Sequence, residues 1–499
     1  MKRILLPMTA VAAFALASPS FAADDSDALA IQVKQLNAQT KKLQSEVASL
    51  REKEKQKKAG SVQKPIVGTN SSSPAIQRMW EHYITVTTVP FSGKQLAYNG
   101  SDLLCNVSSM NEDVTLLQQK QDVLGLLAQQ GHTINRPVLQ VSGAAQGQLY
   151  SSRIFDPASA NNATTSGLAL STAELDFNAM ASSWATAFMA LDYSGSPVSQ
   201  GNRNPNATIY LSRGFVTIGN LDKSPVYFTI GQMYSPFGRY STSMVSTPET
   251  QSLMEIRTPT AILGYSAHNL VLSAYTYEGS DTSGSDSMFE QGGVNATYKL
   301  MFGDNRSFNV GAGWASNIAD SQGMQGTGYS TSFNGVNYFA GFGSSTGSNN
   351  LVHSVDGADV NATLALGPVT MLAEYITALR AFSPLDLTFN GVGAKPAAEH
   401  VEMDYLLPFF AKRYGTTLGA SFDHASQSLA LNLEQDKYAV FLNTSIWRET
   451  IESIEYNYQT DYSKTTTANG STSVTPANTN IVGSGKGVNT VLLQVGVYF

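Results

Sequence analysis

Residues 488–499 read V-N-T-V-L-L-Q-V-G-V-Y-F. At a two-residue period Val491, Leu493, Val495, Val497 and Phe499 share one face, and Leu492, Gln494, Gly496 and Tyr498 share the other. One face is wholly apolar and the other mixed, and the strand stops on an aromatic carboxy terminus. A strand greasy on one side and polar on the other suits a closed sheet between lipid and water, where last and first strands pair and no edge remains.

The same texture runs back to residue 136. Leu139, Val141, Gly143, Ala145, Gly147 and Leu149 oppose Gln140, Ser142, Gln146 and Gln148. Ala173, Leu175, Phe177 and Ala179 oppose Thr172, Glu174, Asp176 and Asn178, and Ala358, Val360, Ala362, Leu364 and Leu366 oppose Asp359, Asn361 and Thr363. Further strands centre near Phe188, Phe215, Phe228, Ile262, Leu272, Ala296, Val310, Met371, Met403, Leu418, Phe441 and Ile454, which brings the expected total to about sixteen. Connections alternate between tight, as at Gly219 to Pro225, and long, as at Asp320 to Asn350 and Gln459 to Gly487. The fold class expected for 136–499 is therefore an all-β transmembrane β-barrel of antiparallel strands with a wet interior.

Bulk properties agree. Of 499 residues 42% are hydrophobic and only 14% charged, yet no mature stretch reaches the eighteen apolar residues of a membrane-spanning helix. Gly (41), Tyr (22) and Phe (22) are abundant, as aromatic girdles and tight turns require. From 136 to 499 there are 17 basic and 27 acidic residues, a net charge of −10, which argues against nucleic acid and against a pore for anions.

Residues 1–22 carry Lys2 and Arg3, an apolar core from Ile4 to Ala17, and Ser20-Phe21-Ala22, the pattern of a cleaved secretory signal peptide. With Cys105 as the only cysteine no internal disulfide can form. Over 23–58 a heptad series follows, with seam positions Leu29, Val33, Leu36, Thr40, Leu43, Val47 and Leu50. Leucine at every d position and β-branched residues at every a position suit a parallel coiled coil and a homo-oligomer of two or three chains. A lone amphipathic helix is the alternative. Residues 59–74 form a Gly/Ser/Pro-rich linker.

Residues 75–135 form a small α+β segment. Ile84 to Val89 is strand-like, and Asn111, Glu112 and Asp113 open a helix over Val114 to Leu127. Some sixty residues build little core alone, so the segment either packs on the periplasmic rim or constricts the lumen.

No hydrolase spacing or metal motif is present, so neither catalytic residues, metal nor cofactor are expected. In E-H-V-E-M-D, His400, Glu402 and Asp404 project from one face of a strand while Val401, Met403 and Tyr405 face lipid. Glu174 and Asp176 form a second acidic pair, and Arg213 and Arg239 are the cations expected to oppose it. These seven are the candidate pore-lining residues, because charge separated across a pore orients a polar solute. Tyr234, Phe237 and Tyr240 are expected in rim or girdle packing.

Several stretches carry a resemblance. L-A-Y-N-G-S-D-L-L (96–104), M-N-E-D-V-T-L-L-Q-Q (110–119), R-G-F-V-T-I-G-N-L-D-K-S-P-V-Y-F-T-I-G-Q-M-Y-S-P-F-G-R-Y (213–240), A-I-L-G-Y (261–265) and S-I-W-R-E-T-I-E-S-I-E-Y (445–456) are similar to the LbtU-type siderophore porin family of legiobactin-receptor-like barrels. The resemblance implies a sixteen-stranded receptor or porin of the Gram-negative outer membrane that takes up a ferric siderophore without TonB-type energy coupling. Separately, the aromatic last strand behind a secretion signal resembles the closing strand of Gram-negative outer-membrane barrels, which implies a periplasmic amino terminus and the terminal Phe499 as part of the signal read by the barrel assembly machinery. The length agrees independently, since an energised receptor needs roughly twenty-two strands and a plug domain. Alternatives for the same barrel are a general or carbohydrate-type diffusion porin, and an adhesive or envelope-tethering barrel.

Overall fold

The computed structural model describes residues 84–86, 110–129, 138–155, 164–195, 207–279, 291–303, 306–326, 351–407, 415–447, 450–470 and 481–499. The expected signal peptide, coiled coil and linker lie outside the described residues. In chain order the elements are β1 (Ile84–Val86), α1 (Glu112–Gln129), β2 (Val138–Phe155), β3 (Thr164–Met180), β4 (Ala185–Gly195), β5 (Ala207–Ile218) and β6 (Val226–Tyr234). Next come α2 (Glu249–Met254), β7 (Arg257–Ala267), β8 (Leu270–Tyr277), β9 (Gln291–Gly303), β10 (Arg306–Ala315), α3 (Gln322–Gly326), β11 (Gly357–Leu366) and β12 (Val369–Ala378). The chain continues through β13 (Leu387–Phe389), β14 (Val392–Gly393), β15 (Ala397–Leu406), β16 (Thr417–Ser426), β17 (Asp436–Thr444) and β18 (Thr450–Thr460). It ends with β19 (Thr467–Gly470), β20 (Ile481–Val482) and β21 (Gly487–Tyr498).

Sixteen strands close into an antiparallel barrel, each pairing with its sequence neighbour among the long strands. Every expected strand centre falls in one of them. Closure comes from β21, which pairs with β18 along Thr450↔Val497 to Thr460↔Gly487 and with β2 along Ala144↔Tyr498 to Phe155↔Gly487. At the seam Gly143 N–H donates to Phe499 O at 2.7 Å, and Phe499 N–H returns a bond to Gly143 O at 3.0 Å. β2 extends past the point where β21 stops, and there β1 pairs with it in parallel, Ile84↔Leu139 to Val86↔Val141.

Outward residues form a continuous apolar surface. Leu263, Val294, Val360, Val401, Val440 and Val495 are all exposed, an arrangement water would penalise and lipid tails would not. Inward neighbours are mostly buried and mix polar with apolar residues, as the alternating exposure along β12 and β21 shows. One barrel end carries the short turns 181–184, 268–269 and 367–368, while the other carries the longest connections.

The long connection 461–486, expected as a polar loop, carries structure of its own. Its β19 and β20 join β13 and β14 in a four-stranded sheet. Phe389 meets Tyr462 edge-on at 5.8 Å, and Leu387, Leu429 and Leu431 are buried in the same cluster. That apolar contact outweighs the polar composition of the loop ends.

Candidate functional site

Among the described residues, two segments that are not barrel strands lie along the inner wall, and α3 packs on the second of them. The first is the leading half of α1, which runs from mid-height toward the short-turn end along the inner faces of β3 to β7. Glu112 accepts a hydrogen bond from Arg213 Nη1 at 2.9 Å, and Arg213 also pairs with Glu174 and stands 3.7 Å from Asp176. Phe188 lies under the guanidinium at 5.5 Å. Asp113, in the first turn of the helix, accepts Val114 N–H at 2.7 Å and takes a bond from the Thr229 hydroxyl at 2.8 Å. Further down, Lys120 Nζ donates to the Thr186 hydroxyl at 2.9 Å and Gln121 Nε2 to Asp222 at 2.9 Å, in the turn below β5.

Burial pushes the Glu112 carboxyl up to about 8, although Arg213 pulls it the other way. Burial likewise raises Asp113 and lowers the Lys120 ammonium to about 8.

The apolar side of α1 is set by Val114 and Leu117, which pack on Tyr227. Tyr227 in turn leans on Gly264, where a Cβ would lie 2.0 Å from its ring. Gly264→Ala is therefore expected to displace that ring and cost about 1–3 kcal/mol, read as a lower midpoint of thermal unfolding with the barrel still assembled.

The second segment is 235–256, between β6 and β7, which folds inward and crosses to the wall of β11 to β18. Chain that leaves a sheet must find new partners for its N–H groups. Here strand carboxylates supply them. Asp359 accepts Gly238 N–H at 3.1 Å, and Glu374 accepts Arg239 N–H at 2.6 Å, Tyr240 N–H at 3.2 Å and the Thr250 hydroxyl at 2.9 Å. Glu402 accepts Ser243 N–H at 2.8 Å and the Thr242 hydroxyl, Asp404 accepts the Ser243 hydroxyl at 2.8 Å, and Glu455 accepts Val245 N–H at 2.6 Å and Ser246 N–H at 3.0 Å. Asp423 accepts Glu249 N–H at 3.1 Å at the start of α2. Burial pushes Glu249 up to about 8 against the pull of Lys437, and Glu255 up to about 7. Phe237, Leu253, Met254 and Ile256 are fully buried beneath the segment.

Of the seven residues expected to line a pore, six project inward from strands; Asp176, Arg213, His400, Glu402 and Asp404 are buried and Glu174 is half-buried. Arg213, Glu174 and Asp176 come together as one cluster. His400, Glu402 and Asp404 form a second on β15, with His400 Nδ1 2.9 Å from Asp423 and Nε2 3.5 Å from Glu402. Arg239 stands apart from the Glu174 group: it belongs to segment 235–256, where its Nε donates to the Ser241 hydroxyl at 3.2 Å. Phe237 and Tyr240, expected at a rim or girdle, lie in the core of the same segment because its backbone is drawn inward. Arg257 instead faces outward between Tyr210 and Tyr234, 5.5 and 5.9 Å from their ring centres.

The chemistry of this arrangement is acceptance of hydrogen bonds. The Ser243 hydroxyl donates to Asp404, and His400 sits between the carboxylates of Asp423 and Glu402. Among the described residues no group of His, Cys, Asp or Glu is arranged to hold a metal ion. The sequence placed Asp359 in an inward polar row but marked neither it nor Glu374, Asp423 and Glu455 as site residues. The signal for them was the Ser/Thr-rich stretch S-P-F-G-R-Y-S-T-S-M-V-S-T-P (235–248), which breaks the two-residue alternation and so must find partners outside a strand ladder.

No family model matches the chain. Among solved structures it is similar to OmpT of Vibrio cholerae, at 11% identity and TM-score 0.44 over 74% of this chain and 99% of that one. It is also similar to an anion-selective porin from Comamonas acidovorans, at 10% identity and TM-score 0.44 over 73% of this chain and 100% of that one. In sequence it is 37% identical over 418 residues to a UPF0422 protein of Legionella pneumophila, covering 83% of this chain and 76% of the relative. A UPF0422 protein of Coxiella burnetii is 34% identical over 424 residues, covering 84% of each. On that identity and coverage, the chain belongs to the UPF0422 family.

Proposed function

We propose that this protein is an outer-membrane channel for a small hydrophilic solute, a ferric siderophore, admitted without TonB-type coupling. The observation that carries the channel is segment 235–256 held across a polar-walled, closed barrel by inward carboxylates. Such a segment narrows a lumen and gives it a fixed lining. The siderophore as cargo is supported by the stretches at 96–104 and 213–240 that resemble siderophore porins. In this reading the long loops face outside the cell and the amino terminus lies in the periplasm. Phe499 serves the assembly machinery, outward rows contact outer-membrane lipid, and residues 29–50 join copies through a coiled coil. Glu174, Asp176, Arg213, Arg239, His400, Glu402 and Asp404 shape the lumen, Glu402 and Asp404 by holding segment 235–256 and His400 by bridging Glu402 and Asp423.

Because inward acids outnumber inward bases, potassium is expected to permeate planar bilayers several-fold better than chloride. A chloride preference in reversal-potential measurements contradicts that. Loss of labelled ferric-siderophore uptake in an iron-limited deletion strain tests the cargo, and unchanged uptake removes it. Ohmic conductance with no block by ferric siderophore favours the second reading, a general or carbohydrate-type porin.

A further inference from the structure

Around the two inner segments the inward side chains are as dry as a protein core: Asp176, Asn178, Asp423, Asn443 and Glu455 are each 0% exposed. Free passage past these positions requires part of the filling to move. Segment 235–256 is fastened through its backbone, with seven N–H groups held by strand carboxylates. α1 is joined to the wall through side chains, at Glu112–Arg213, Asp113–Thr229, Gln118–Ser266, Lys120–Thr186 and Gln121–Asp222. Its helical backbone hydrogen bonds are internal, so it can leave the wall as a unit without breaking them.

We propose that α1 is a displaceable plug that closes the channel, with the Glu112–Arg213 pair as its latch. This rests on the channel reading above. Release leaves no orphaned charge on the wall, because Arg213 keeps Glu174 and Asp176 as partners. Glu112 meanwhile returns to water from a site where burial disfavours its ionised form. Chain continuity confines the displaced helix, with β1 paired to β2 before it and β2 itself following it.

The groups facing Glu112 are Arg213 on β5, Glu174 and Asp176 on β3, Asp192 on β4 and its own neighbour Asp113. Its carboxyl is raised in the docked state, so docking takes up a proton: the plug holds fully at acid pH and loosens as pH rises from about 4.5 toward about 8.

The test uses the full-length protein with Cys105→Ser, Gln118→Cys and Ser266→Cys, positions whose native side chains meet at 3.3 Å. A short reducible bifunctional thiol reagent then ties α1 to β7. Cross-linking is expected to lower bilayer conductance at least about tenfold, with recovery on reduction. A second variant, Glu112→Lys, places like charge on Arg213 and is expected to raise open probability severalfold while the barrel keeps its heat-modifiable mobility. Equal conductance in cross-linked and reduced protein overturns the plug and leaves the channel standing. Absence of conductance in every form, the Glu112→Lys variant included, overturns the channel and the plug with it.

Discussion

Replacing Glu374 by alanine is expected to detach segment 235–256 from the wall and to enlarge single-channel conductance several-fold. Glu374 is the acceptor for Arg239 N–H, Tyr240 N–H and the Thr250 hydroxyl, so its removal strands three donors at once. Each buried donor left unpaired costs about 1–3 kcal/mol, and the segment escapes that cost by moving into water. Burial of Phe237 and Leu253 opposes the move, which makes the outcome a loosened segment inside an intact barrel. Proteolysis at 235–256 should accelerate, while mobility of the unheated protein on gels stays that of the assembled form. Conductance equal to that of the parent protein would show that segment 235–256 does not set the bore.

The second large effect concerns the seam. The ring of Phe499 lies over the bare backbone of Gly143, and a Cβ at that glycine would sit 2.6 Å from the ring and 2.9 Å from Glu174 O. The ring can swing away, but the carbonyl belongs to the β2–β3 ladder and cannot. Gly143→Val is therefore expected to spoil the paired bonds between Gly143 and Phe499 and to cut the assembled fraction about tenfold, the equivalent of ~1.4 kcal/mol. Gel mobility before and after heating measures that fraction. Phe499→Ala removes the ring but keeps the two backbone bonds, so its assembled fraction should fall less.

The strands were legible because lipid on one side and polar filling on the other impose a two-residue rhythm that nothing else in the chain imitates. His400, Glu402 and Asp404 fell on the interior side for that reason, with Val401, Met403 and Tyr405 opposite. The helix was also legible to within two residues at each end, from Asn111, Glu112 and Asp113. What a rhythm does not carry is the identity of a partner. Ser243 and Glu402 meet across 159 positions, and an inward acid looks the same in sequence whether it faces water or a backbone N–H. The location of α1 was hidden likewise, since local signals specify a helix but not the wall it rests on.

The parallel pairing of β1 with β2 has a mechanical meaning. Because both strands run the same way, tension arriving from the residues before Ile84 acts along the ladder Ile84↔Leu139 to Val86↔Val141, loading its hydrogen bonds together in shear instead of peeling them singly. A pull along β1 is expected to be taken up by this ladder before it reaches the helix in the bore.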